Sequence, residues 1–164
     1  MSDRFVSQIR IGGLVNQPTL QRLIAAAKRD AAKTEWDGEH ADEPSFHAAI
    51  ATNQPLRFYD SEASAWQFEN LERFCQEKGL SFQRHRAAGH DCDAEFLYWA
   101  PGMQQPRCAR ASQDGNEVLV SLTELEEALQ VGDSLAQVVR QARTALRDIP
   151  PLQLLEDGTA AEHS

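Results

Sequence analysis

The densest set of side chains able to do chemistry is His85-Arg86-Ala87-Ala88-Gly89-His90-Asp91-Cys92-Asp93. Histidine, cysteine and aspartate all ligate first-row transition metals, and Gly89 would let a loop fold them around one ion. The spacing departs from the standard zinc patterns, because the chain has no C-x-x-C and no H-E-x-x-H. The expectation is therefore no metal and no other cofactor, with His85–Asp93 serving as a polar loop between strands. The same segment offers Cys92 as a nucleophile, with His85 or His90 as its base. Thiol activation needs an electropositive niche, and Asp91 and Asp93 on either side oppose it. Cys75 falls on the apolar stripe of a helix and reads as a core residue.

A second candidate is cationic. Arg84, Arg86, Arg107 and Arg110 are the only basic residues between positions 79 and 139. If neighbouring strands bring them together, they form a positive island suited to a carboxylate or phosphate ligand, since the guanidinium fork binds both. The competing expectation is that they neutralise Glu95, Glu117 and other neighbours across the sheet. Gly12-Gly13 lacks the third glycine and the lysine of a phosphate-binding loop and reads as a strand-ending turn. Asp60 and Glu62 are explained as helix-start residues, and Glu69 as half of a surface ion pair with Arg73.

The third candidate is the acidic surface. The net charge is −9 over 164 residues, and it is unevenly spread. Residues 1–34 hold six Lys/Arg against two Asp/Glu, and residues 35–164 hold ten against 23. Residues 35–43 carry five carboxylates, and residues 117–139 carry five with no Lys/Arg. Glu39, Asp42, Glu124, Glu126 and Glu127 are the residues expected to meet a partner. Such a surface repels nucleic-acid phosphates and attracts a basic protein, including one that itself binds nucleic acid.

These candidates need a scaffold. Residues 4–11 alternate as a strand with Phe5, Ile9 and Ile11 on one face. Asn16 caps a helix with Pro18 in its first turn, and Leu20, Leu23, Ile24, Ala27 and Ala31 follow at helical spacing. A short helix capped by Ser45 carries Phe46 and Ile50. A strand at 56–59 precedes a helix capped by Asp60 or Ser61, striped by Phe68, Leu71, Phe74 and Cys75 and stopped by Gly79. Strands follow at 80–83, 94–99 and 107–112. Ser121 and Glu124 form a capping box for a helix with Leu122, Leu125 and Leu129 inside. Ser134 starts a last helix with Leu135, Val138, Val139, Ala142 and Leu146, and Pro150-Pro151 stops it.

The expected fold is α+β: one domain over residues 1–150, with a mixed, mostly antiparallel sheet of about five strands and helices mainly on one face. Residues 151–164 read as a flexible acidic tail. Phe58, Phe68, Leu71, Phe74, Phe82, Phe96, Leu125 and Val138 are expected to be buried together. No run approaches the ~18 apolar residues of a membrane span, and the first residues lack a secretory h-region. With three cysteines that cannot all pair within one chain, the sequence points to the cytoplasm. The functional expectation is a non-enzymatic regulatory or inhibitory interaction domain that uses its acidic surface on a basic protein partner. The alternative is a small enzyme or anion-binding domain using the arginine island or the His85–Asp93 loop.

Overall fold

The computed structural model describes residues 5–34, 40–63, 68–89 and 92–155. Strand β1 (Phe5–Val15) is the centre of the sheet. It pairs antiparallel with β2 (Leu56–Ala63) on one side and with β3 (Ser81–Arg86) on the other. β4 (Glu95–Trp99) and β5 (Arg107–Arg110) extend the sheet antiparallel, giving the order β2-β1-β3-β4-β5. Helices α1 (Gln17–Arg29), α2 (Glu43–Ala51), α3 (Glu69–Lys78), α4 (Leu122–Gln130) and α5 (Ser134–Ala145) complete a single α+β domain with the expected sheet. Among the described residues no helix is long and apolar enough to cross a membrane.

A sixth strand, β6 (Leu152–Leu154), runs parallel to β1 at Gly13–Val15. Three expectations are corrected here. The strand does not end at Gly12-Gly13, and the fold does not end at residue 150. A Cβ on Gly12 would lie 1.6 Å from the Pro150 carbonyl oxygen, so the glycine admits the returning chain. Gly13 N–H donates to the Pro151 carbonyl (3.2 Å), and the Leu152 side chain is fully buried. α5 has already ended at Ala145, so Pro150-Pro151 does not stop it as expected; the two prolines lie where the chain returns to the sheet. Residues 156–164 of the expected tail lie outside the described residues.

Helix starts also differ from the local reading. Asn16 caps α1 as expected, its Oδ1 accepting from Thr19 N–H (2.9 Å). The cap of α2 is Asp42, with Ser45 at its third position as the reciprocal partner. β2 runs on through Asp60, Ser61 and Glu62, so none of these starts a helix. α3 begins at Glu69 behind Phe68, a left-handed residue (φ 66°) with no side chain able to cap. Its free N–H groups are met by Asp30, just past the end of α1. The carboxylate accepts from Leu71 N–H (2.8 Å), Asn70 N–H (3.3 Å) and Asn70 Nδ2 (2.7 Å). A buried anion at a helix N-terminus also matches the helix dipole.

Alternation along the strands separates two faces of the sheet. Ile9, Ile11, Phe58 and Phe82 point to one face and pack with Leu20, Leu23 and Ile24 of α1 and with Leu71 and Phe74 of α3. Arg10, Gln83 and His85 point to the other, where Gln83 donates to the Ala145 carbonyl of α5. The eight residues expected to share one core divide. Phe58, Phe68, Leu71, Phe74 and Phe82 belong to the main cluster. Phe96 sits in a separate one with Ala94 and Ala111. Leu125 and Val138 are only half-buried.

Candidate functional site

The His85–Asp93 loop does not assemble into a reactive centre among the described residues. His85 lies in β3, tilted against Phe96 with ring centroids 5.4 Å apart. Its Nε2 is 3.1 Å from the Ser112 carbonyl, which only accepts, so this nitrogen carries the proton. The Gly115 backbone passes so close that a Cβ there would lie 3.0 Å from the ring. His85 therefore ties β3 to the loop after β5. Cys92 is exposed, and His90 and Asp91 lie outside the described residues. Among the described residues no three His, Cys, Asp or Glu side chains converge as a metal site would need. Cys75 is buried in the core, where desolvation pushes its thiol far above the ordinary range.

The arginine island is assembled in part, around carboxylates. Arg86, Glu95 and Arg110 form one rung across β3, β4 and β5. Arg86 lies 3.3 Å from Glu95, and Arg84 lies 4.0 Å from it. Arg84 also donates to Glu72 of α3 at 2.5 Å. Burial of Glu72 outweighs the pull of Arg84 and lifts its pKa to about 7. Arg86 is thus held by an acid of the neighbouring strand, and Arg84 chiefly by an acid of α3. Arg107, opposite Tyr98, points to the other face of β5 from Arg110. With Arg86, these two line an open groove of about 860 Å³ between the β4–β5 edge and α5, shared with Glu95, Asp93 and Glu124.

The acidic set divides by place. Asp42 is spent on capping α2, and hydrogen bonds from Ser45 hold its carboxyl below the usual carboxylate range. Glu39 lies outside the described residues. Glu124, Glu126 and Glu127 stand together on α4, all exposed. The helix starts as expected at Ser121, whose Oγ accepts from Glu124 N–H (3.1 Å). α5 is preceded by Asp133 at the N-cap position, not by Ser134.

The inward stripe of these two helices is where the structure departs most from the sequence reading. Leu122 is 71% exposed and Leu129 69%, and Val131, Leu135, Val139 and Leu146 are also exposed. The sole buried residue is Ala128 in α4 and Ala145 in α5. The reason lies in what the two helices pack against. α5 rests on β4 and β5 at the edge of the sheet, where Gln83 of β3 also reaches its Ala145 carbonyl, and α4 packs chiefly on α5, so the leucines of α4 have little of the sheet to turn toward. These exposed apolar side chains were missed from sequence, because periodicity reports that a stripe exists and not what stands opposite it.

Compared with protein-family models, with curated proteins and with solved structures, the chain matches none.

Proposed function

We propose that the chain is a non-enzymatic protein-interaction domain, regulatory or inhibitory in role, whose working surface is the α4–α5 hairpin. What supports this reading is the neighbourhood of Glu124, Glu126 and Glu127 with Leu122 and Leu129 on one exposed helix. Short helices owe their stability to packing an apolar face. A face left in water beside a row of carboxylates suits a partner that is both apolar and basic. Nucleic acid, with its repeating phosphates, does not fit such a surface. The odd cysteine count points this activity to the reducing cytoplasm.

The test uses a fluorescent, Leu- and Lys-rich amphipathic helical peptide as probe. Binding should weaken as salt rises, since exposed charges are screened over ~10 Å at 0.1 M. It should also weaken in a Glu124→Lys, Glu126→Lys, Glu127→Lys variant whose thermal unfolding is unchanged. Binding indifferent to both salt and the three reversals, or direct binding of DNA or RNA by the basic residues 4–33, would overturn the reading.

A further inference from the structure

The two helices of the hairpin carry the same motif with opposite charge. In α4, Glu126 sits four residues after Leu122 and three before Leu129. On α5, Arg143 sits four residues after Val139 and three before Leu146, the residue that caps the end of the helix. Residues at these spacings are neighbours on a helix surface. Each helix therefore shows two exposed apolar side chains with one exposed charge between them, negative on α4 and positive on α5. The bias extends along both elements. α4 has three glutamates and no basic residue, and α5 has Arg140 and Arg143 and no acidic one.

Resting on the reading of the hairpin as a docking surface, we propose that its occupant is the hairpin of a second copy of this chain. A two-fold axis places α4 of each copy on α5 of the other. The same patch then serves both sides, as an isologous interface requires. Leu122 and Leu129 are covered by Val139 and Leu146, and Glu126 meets Arg143 twice, once on each side of the axis. The apolar, basic partner surface that α4 calls for is thus present on the molecule itself. The product is a four-helix arrangement, in which interhelical charge pairs set partner choice at the flank of an apolar seam.

Net charge and local pairing predict opposite results for one substitution, which makes the idea easy to break. Glu126→Arg reduces the net negative charge of the chain, so general repulsion between copies would fall and association would rise. Pairing with Arg143 predicts that association falls. Sedimentation velocity on the full chain should show a concentration-dependent dimer. Glu126→Arg and Arg143→Glu should each weaken it about tenfold or more, and the double swap, which leaves net charge unchanged, should restore it. Leu129→Asp should abolish it, with circular dichroism confirming that the fold persists. A wild-type dimer indifferent to both single reversals, or not restored by the double swap, would overturn the proposal. So would a chain that stays monomeric to about 0.5 mM. A monomer that still bound the basic helical probe in a salt-dependent way would leave the interaction reading standing and remove only the second copy as its occupant.

Discussion

The α1–α3 side of the sheet and the α4–α5 hairpin are built from similar sequence patterns and packed in opposite ways. α3 has its apolar residues at helical spacing, and Leu71, Phe74 and Cys75 are all buried. α4 and α5 have stripes just as regular, and each buries a single alanine. The difference lies in what each helix packs against. Ile9, Ile11, Phe58 and Phe82 face the first set of helices, whereas α4 packs chiefly on α5 and α5 rests on β4 and β5 at the edge of the sheet. An amphipathic pattern is a request for an apolar partner; the α1–α3 face of the sheet meets it, and α4, packed chiefly on α5, is left without one.

The largest expected effect tests the packed side. Phe68→Ala removes a fully buried ring from the main core and should cost ~3–5 kcal/mol in denaturant unfolding, as aromatic truncations in cores do. A loss below about 1 kcal/mol would mean that this side is no better packed than the hairpin.

A smaller effect probes the edge of that core. Glu72 has a folded pKa near 7, above its ordinary 4.5, so the folded state favours its protonated form. Its contribution is fully present below the unfolded pKa and is lost as pH rises through the folded one. The stability of the wild type relative to Glu72→Gln should fall between those two values, by on the order of 2 kcal/mol. A flat difference across that window would show that Arg84 holds Glu72 ionised throughout.

The smallest effect belongs to the hairpin. Leu122→Ser with Leu129→Ser, measured at dilution where the chain is monomeric, should change unfolding free energy by less than about 0.5 kcal/mol. A loss of several kcal/mol would mean that these leucines are packed in solution and that the contrast between the two sides is false.

The parts that were legible in the sequence are those whose causes are local. Asn16 with Pro18, the Phe68–Cys75 stripe and the left-handed Gly79 each carry their own reason within a few residues. The start of α3 was misread because its cap is Asp30, supplied from another helix. The Gly12-Gly13 pair was misread because its meaning depends on Pro150, which reaches it only in the folded chain. The site follows the same division. The Glu124, Glu126, Glu127 cluster and the pairing of Arg84 and Arg86 with Glu95 could be read from charge and strand alternation. The exposure of Leu122 and Leu129 could not, since it depends on α4 packing on α5 and not on the sheet, which no local pattern reveals.

The parallel pairing of β6 with β1 also fixes an order of events. Gly13 lies in the first of the described strands, and its partner Leu152 in the last of them. Few contacts in a domain of this size span so much sequence, and such contacts slow folding because the whole intervening loop must close before they form. On a ribosome the antiparallel ladders β1–β2 and β1–β3 can zip before β6 emerges, while the far end of β1 stays open until then. Completion of the core around Leu152 thus acts as a late checkpoint, and the central strand of the sheet is the last to be finished.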